Sequence, residues 1–218
     1  EDQTSIVRNI SFRKPAKKLN VVLVLMESMS ARFLGIYGEP KGLTPNLDRL
    51  AREGVWFSEL YASGTRTVRG IEAVMLSIPP TPGQSIVRRK GGAGMFNLGT
   101  VLEKAGYSLH FVYGGYGAFD NMNGFFLSNG FEIRDQGTFP PNEIQFSNAW
   151  GVADEDLFTQ AIKDADEEHA KHKPFFQFIL NTSNHRPFTY PNGRIDLPSP
   201  SGRDGAIKYS DYAIGKFI

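Results

Sequence analysis

Two long apolar runs, one near each end of the chain, constrain the fold more than any other feature of the sequence. Residues 19–28 read LNVVLVLMES and residues 174–183 read PFFQFILNTS. Continuous apolar runs of this length are typical of strands that are buried on both faces, as in a parallel sheet. Two further strands are predicted for VWFSELYA at 55–62 and SLHFVYG at 108–114.

Segments with helical periodicity lie between and after these runs. The segment 44–54 has Thr44 as an expected N-cap, and Gly54 is expected to end the helix. Further helices are predicted at 69–78, 98–107, 154–172 and 202–218, and loops rich in Gly, Pro and Asn at 79–97 and 134–153. Strands that alternate with helices predict an α/β fold, with a mostly parallel sheet sandwiched between helices.

The composition excludes several classes of function. The 218 residues include 24 basic and 23 acidic side chains, and this balance, without a long basic run, argues against a nucleic-acid-binding domain. There is no cysteine, which excludes disulfides, thiolate metal sites and cysteine nucleophiles. No run of 18 apolar residues is present, so no membrane span is predicted within the sequence. The polar residues 1–18 are expected to be a linker from an upstream region, which would be a membrane region.

Three polar clusters fall where α/β sheets bind ligands, which is the carboxyl edge of the strands. They are Glu27 with Ser28, the loop at 64–69 and the segment 181–185. Glu27 has two interpretations. It is either an acid that has reached the surface at the end of a strand, or a hard oxygen ligand for a divalent cation or a base.

The loop YASGTRTVRGIEA at 61–73 places two threonines and two arginines just before a predicted helix. Thr67 can cap this helix through its hydroxyl. A hydroxyl at this position lies among free backbone N–H groups, where an anion binds and an alkoxide forms more readily, so Thr65 and Thr67 are both candidate nucleophiles. Arg66 and Arg69 either add charge for a bound phosphate or sulfate, or are simply solvated.

Among the histidines, His185 is the best candidate for a functional site. It follows a predicted strand in NTSNHRPF and lies among other polar residues. His169 and His172 belong to a charged helical segment and are expected to face solvent, whereas His110 lies inside a strand pattern and is expected to pack.

Four segments, taken in their order and spacing, resemble a known family. They are NVVLVLMES, TPNLDRLAREGVWFSELYASGTRT, FFQFILNTSNHRPF and IKYSDYAIGKFI. They are similar to the extracytoplasmic catalytic domain of lipoteichoic acid synthases and related phosphoglycerol transferases, in the sulfatase-like branch of the alkaline phosphatase superfamily. The resemblance runs from about residue 19 to the end, and it implies that residues 19–218 form a sulfatase-like catalytic domain that is incomplete at its C-terminus.

The resemblance also implies a site and a reaction. Glu27 corresponds to an acidic ligand of a divalent metal, most often manganese, with zinc, magnesium or calcium as alternatives. Thr67 corresponds to a nucleophilic threonine that also contacts the metal, and His185 to a histidine that holds the substrate phosphate. The implied reaction transfers a phosphoglycerol-type group from a lipid donor to a glycan or polymer acceptor through a phospho-threonine intermediate. The alternatives are a phosphodiester or sulfate ester hydrolase of the same fold, and a non-catalytic binding domain.

The chain departs from this family in two places. The family's remaining metal ligands are an Asp-His pair that follows the helix matched by IKYSDYAIGKFI, and no Asp-His dipeptide occurs in the sequence. We therefore expect weak or absent metal binding and no activity for the chain as given. Lipoteichoic acid synthases carry Trp and Arg at the positions of Asp120 and Met122. Asp120 and Asn121 are therefore expected to bind a different head group or acceptor, such as a periplasmic glucan.

Sulfate ester hydrolysis ranks below phosphoryl transfer. Arylsulfatases need a Cys or Ser in a C/S-x-P-x-R motif, whereas the loop here reads GTRTVRG. The partners that the resemblance implies are a phospholipid head-group donor and a glycan or polymer acceptor, with no nucleic acid. The implied location is the cell membrane, with this domain facing the periplasm or the exterior.

Overall fold

A parallel sheet lies at the centre of the computed structural model, which describes Ser11, Pro15 and residues 17–218. The strands in these residues are β1 (Val21–Leu25), β2 (Ser108–Tyr113), β3 (Glu132–Asp135), β4 (Ser147–Asn148), β5 (Gly151–Val152) and β6 (Phe175–Leu180). Four of them form the sheet in the order β1-β6-β2-β3, and a small antiparallel pair, β4-β5, stands apart from it. The linker predicted at 1–18 lies almost entirely outside the described residues.

Six α-helices are present in the described part of the chain, and none of them is long and apolar enough to cross a membrane. They are α1 (Pro45–Glu53), α2 (Thr67–Leu76), α3 (Leu98–Lys104), α4 (Met122–Ser128), α5 (Asp154–Ala170) and α6 (Gly202–Phe217). Five of these match predicted helices to within a few residues. Helix α4 and strand β3 were not predicted, because elements of seven and four residues are too short to show a clear period.

The two faces of the sheet are covered by different helices, which confirms the predicted sandwich. On one face, Phe111 of β2 stacks on Phe126 of α4 with ring centroids 3.8 Å apart, in a cluster that also includes residues of α2 and β6. On the other face, Val112 of β2 packs in a cluster with Leu157 of α5 and Ile214 of α6. Adjacent residues of one strand thus enter opposite layers, as the period of two requires.

Strand β1 is only partly buried, so the prediction of a strand buried on both faces was wrong. Val22 is 42% exposed, and the other residues of β1 are half-buried. Within the described residues β1 pairs with β6 and with no other strand, so it forms an edge. Strand β6 pairs with both β1 and β2 and is buried along its whole length, as predicted.

The strand predicted at 55–62 is absent from the described structure. This segment is irregular and its apolar side chains are exposed, with Tyr61 at 83%. Alternating apolar residues are typical of a strand only when a neighbouring strand takes up the backbone hydrogen bonds. No strand pairs with this segment in the part of the chain that is described.

The histidine predicted to pack inside a strand does so. His110 is fully buried in β2, and its Nδ1 lies 3.1 Å from Asp164 Oδ1 of α5. His169 and His172, at the end of α5 and just after it, are exposed, as predicted. None of these three histidines lies near the carboxyl edge of the sheet that carries Glu27.

Helix α1 is capped by a side chain from a distant helix instead of by Thr44. The two oxygens of Asp211, which is buried in α6, accept hydrogen bonds from the backbone N–H groups of Asn46 and Leu47 at 3.0 and 2.8 Å. The Thr44 hydroxyl makes no capping bond and accepts a hydrogen bond from the Gly35 N–H. The prediction placed Thr44 correctly at the N-cap position, but the capping hydrogen bonds that it assigned to Thr44 are made by Asp211.

We expect Asp211→Ala to lower the free energy of unfolding by about 2 kcal/mol, because it leaves partly buried N–H donors at the start of α1 without an acceptor. Urea unfolding of the variant checks this. The matched control is Asp204→Ala in the first turn of the same helix, where an exposed ion pair with Lys41 is lost and a much smaller change is expected. Equal losses for the two variants would contradict the cap.

Candidate active site

The carboxylate of Glu27 is the centre of the polar cluster at the carboxyl edge of the sheet. Glu27 lies two residues beyond the end of β1. Its Oε2 accepts a hydrogen bond from the Thr67 hydroxyl at 2.8 Å, and its Oε1 accepts one from the Ser28 hydroxyl, also at 2.8 Å. Ser28 has a left-handed φ of 52°, so the chain turns sharply here. A non-glycine residue in this conformation is uncommon and marks a constrained site.

Thr67 is the first residue of α2. Its hydroxyl donates to Glu27, and α2 has no side-chain cap at Arg66, the N-cap residue. The interpretation of Thr67 as a helix cap is therefore wrong, because its hydroxyl is turned toward the carboxylate of a neighbouring element. The first N–H groups of a helix have no intrahelical acceptor, so Thr67 combines a held hydroxyl with the positive end of the helix dipole.

A small open cavity of about 170 Å³ lies beside this pair. Its walls are formed by the end of β1 and the loop before α2, including Met26, Glu27, Ser28, Gly64, Thr65, Arg66 and Thr67. Sites for whole drug-sized ligands are typically about 300–1,000 Å³. The cavity therefore suits one small charged group, such as a phosphate, with the remainder of a substrate lying outside it.

His185 approaches Glu27 from the loop after β6. Its Nε2 lies 3.9 Å from Glu27 Oε1, and its ring stacks on Trp150 with centroids 3.6 Å apart. Burial lowers the pKa of His185 below its ordinary value, with the charge of Glu27 raising it and that of Arg203 lowering it further. At neutral pH the imidazole is therefore uncharged.

The two arginines of the loop diverge. Arg66 lines the cavity, whereas Arg69 forms an ion pair with buried Glu72 at 2.7 Å and donates a hydrogen bond to the Gly83 carbonyl. Gly64 permits this packing, because a Cβ there would lie only 2.7 Å from the Cβ of Arg69. The guanidinium of Arg69 is thus engaged within the protein, and its role in substrate binding stays a prediction.

Asp120 and Asn121 are not among the residues that line this cavity. Asp120 Oδ1 is 3.3 Å from Arg88 Nε, and the Asn121 amide donates to the Val87 carbonyl at 2.9 Å. Both residues have left-handed backbones, with φ of 54° and 60°, just before α4. Their substrate contacts stay a prediction.

Two aromatic residues of the site were not predicted. Tyr113 is the last residue of β2, and burial raises its pKa to about 12, with the charges of Glu27, Asp120 and Asp135 adding to the shift. The phenol therefore stays protonated, and the carboxyl-edge rule would have identified it. Trp150 lies between β4 and β5, in a segment predicted as a loop, and no sequence pattern links it to His185.

Glu27 and Thr67 are suitable types of ligand for a divalent metal, but two ligands are too few to hold one firmly. Glu27 and Thr67 offer a carboxylate and a hydroxyl oxygen, which are ligands that hard cations accept. Across the described ranges, no group of three or more His, Cys, Asp or Glu side chains is placed to hold a metal ion. A hard cation takes about six ligands, so this pair would hold one side of such a site. Manganese and its alternatives stay a prediction.

Comparison with known proteins places this chain in a family. The sulfatase family model matches residues 19–218. Phosphoglycerol transferase I of Xanthomonas campestris pv. campestris is 30% identical over an alignment of 226 positions, gaps included. The alignment covers 93% of this chain and 31% of the relative. The chain thus spans about a third of the length of this relative.

Solved structures agree on the fold. A protein of the alkaline phosphatase superfamily from Vibrio parahaemolyticus is 42% identical with a TM-score of 0.87, over 94% of this chain and 50% of that one. The lipoteichoic acid synthase LtaP of Listeria monocytogenes is 22% identical with a TM-score of 0.81, over 93% of this chain and 52% of that one. At its lower identity, the second structure supports the fold alone.

We expect an NMR titration of the His185 imidazole to give a pKa below about 6.5, because the ring is partly buried. Glu27→Gln should lower this pKa further, since the carboxylate charge that favours the imidazolium is removed. Glu53→Gln, on the exposed face of α1, is the control and should leave it unchanged. A pKa above 6.5 in the wild type would contradict the environment described for His185.

Proposed function

The chain belongs to the sulfatase family of the alkaline phosphatase superfamily, and we propose that it transfers a phosphoglycerol-type group from a lipid donor to a glycan or polymer acceptor through Thr67. The observation that carries this proposal is the hydrogen bond between the Thr67 hydroxyl and Glu27, at the start of a helix and beside a cavity of phosphate size. The identity to phosphoglycerol transferase I supports phosphoglycerol as the transferred group.

In the first half of the reaction, Thr67 Oγ1 attacks the phosphorus of the donor phosphodiester. A bond forms between Oγ1 and phosphorus, and the bond from phosphorus to the lipid oxygen breaks. The Thr67 hydroxyl loses its proton, and the lipid oxygen gains one and leaves as a hydroxyl, so the protons balance. In the second half, an acceptor hydroxyl attacks the same phosphorus. The Thr67 oxygen then leaves and regains its proton, so threonine is restored and the acceptor carries the phosphoglycerol.

Glu27 orients the nucleophile. Because its Oε2 accepts a hydrogen bond from the Thr67 hydroxyl, a lone pair of Oγ1 is free to point into the cavity. The start of α2 favours the negative charge that develops on this oxygen. A divalent cation, manganese being our choice, for which Glu27 and Thr67 would supply two of the ligands, would lower the pKa of the hydroxyl and neutralise charge on the transferred group.

His185 and Arg66 are assigned to the phosphate. A neutral imidazole can donate one hydrogen bond to a phosphate oxygen, and its Nε2 lies 3.9 Å from Oε1 of Glu27, the oxygen that does not accept from Thr67. Arg66 lines the cavity and can pair with the second oxygen. Asp120 and Asn121, outside the cavity, are assigned to the glycerol or the acceptor.

A lipid donor implies a membrane setting for the reaction. We therefore assign the protein to the cell membrane, with this domain facing the periplasm or the exterior, where a glycan acceptor is available.

A phosphodiester hydrolase is the second candidate. The cavity beside Thr67 is open to solvent, so water can reach it and replace the acceptor hydroxyl in the second half of the reaction. A sulfatase is less favoured, because the position of the nucleophile holds Thr67, which cannot be oxidised to formylglycine.

The test of this function incubates the full-length protein with manganese and phosphatidylglycerol and follows its intact mass, because no activity is expected for residues 1–218 alone. We expect a phosphoglycerol adduct on Thr67, and we expect Thr67→Ala to reduce its formation by at least about a thousandfold. Thr65→Ala, in the same loop, is the matched control and should retain the adduct. An adduct that persists in Thr67→Ala would overturn the assignment, and release of glycerol phosphate without an acceptor would favour the hydrolase.

A further inference from the structure

The main chain of Glu27 is held on both sides by buried amide side chains. The Glu27 N–H donates to Asn181 Oδ1 at 2.6 Å, and Asn184 Nδ2 donates to the Glu27 carbonyl at 3.1 Å. Asn181 and Asn184 are both buried, in the loop that follows β6. They reach Glu27 because β1 and β6 are parallel neighbours that end side by side.

Asn181 is itself oriented by a buried carboxylate at the start of α5. Asp154 Oδ2 accepts hydrogen bonds from Asn181 Nδ2 and from the Ser210 hydroxyl, each at 2.8 Å. Asp154 Oδ1 accepts from the backbone N–H groups of Thr182 and Ser183, at 3.2 and 3.0 Å. The carboxylate therefore ties the loop after β6 to helices α5 and α6.

This arrangement leaves the Asn181 amide one orientation. Since its NH₂ group donates to Asp154, its oxygen must face Glu27, where it accepts the backbone N–H. The turn that follows is unfavourable by itself, because Ser28 has a left-handed backbone. A fixed acceptor and a fixed donor on the Glu27 peptide groups hold that turn in place.

We propose that Asp154 and Asn181 are positioning residues that aim the Glu27 carboxylate at Thr67. A continuous chain of hydrogen bonds links Asp154 through Asn181 to the Glu27 backbone. The Glu27 side chain then accepts a hydrogen bond from the Thr67 hydroxyl. Neither residue lines the cavity, so each acts through Glu27. The assignment rests on the proposed function, in which Thr67 is the nucleophile. A supporting residue of this kind holds a reactive group to within a fraction of an ångström.

The experiment compares Asn181→Ala with Ser210→Ala. Each variant removes one buried hydrogen bond of 2.8 Å to the same oxygen of Asp154, but only Asn181→Ala breaks the connection to Glu27. We expect Asn181→Ala to slow adduct formation on Thr67 about a hundredfold with an unchanged KM for the donor, and Ser210→Ala to slow it less than about threefold.

A second readout does not need activity. In methyl NMR spectra of threonine-labelled protein, Asn181→Ala should shift the Thr67 methyl resonance, because the acceptor of its hydroxyl moves, whereas Ser210→Ala should leave it in place. Asn184→Ala, which removes the bond to the Glu27 carbonyl without touching Asp154, should shift the same resonance and serves if Asn181→Ala does not fold.

The outcomes separate this inference from the proposed function. Equal rate losses for Asn181→Ala and Ser210→Ala, or an unmoved Thr67 methyl resonance in both asparagine variants, would overturn it and leave Asp154 as a structural tie. Absence of any adduct in the wild type would overturn the proposed function instead. In that case a Thr67 shift specific to the asparagine variants would still support the positioning of Glu27.

Discussion

The parallel register of three neighbouring strands is the constraint on which the site depends. In this register Leu25 of β1 lies beside Leu180 of β6, and Tyr113 of β2 lies on the other side of Leu180. The three strands therefore end at one level, and the chain that leaves each of them meets the others at the same edge. Glu27 and the loop that carries Asn181 and His185 come together for this reason.

Helix α2 completes the site from outside the sheet. The contacts that hold this helix in place explain why Arg69 is engaged within the protein whereas Arg66 lines the cavity. Glu72, fully buried in α2, accepts hydrogen bonds from the hydroxyl of Ser85 and the N–H of Ile86. Burial raises its pKa, but these bonds and the neighbouring Arg69 together hold the pKa below its usual value. Arg69 thus serves to neutralise a buried acid that anchors α2, while Arg66 remains at the cavity.

Much of the fold was predictable from local patterns, and the failures have a common cause. Strands β2 and β6 and the longer helices carry strong periodicity, and they were predicted to within a few residues. The predictions of a strand at 55–62 and of full burial for β1 were wrong. An apolar pattern shows that a residue can pack against others, but it does not show whether a partner strand is present. The capping role predicted for Thr44 was wrong for a similar reason, since Asp211, 167 positions further along the chain, caps helix α1 instead.

The sequence by itself determined which residues were candidates. Glu27, Thr67 and His185 follow or begin regular elements, and that position alone places them at the carboxyl edge of an α/β sheet, where the structure brings them together. Only the tertiary structure decided how they are held. Trp150 stacks on His185, and Asn181 donates a hydrogen bond to Asp154, so packing joins residues that are tens of positions apart. Such contacts leave no local pattern, because they depend on where distant elements meet.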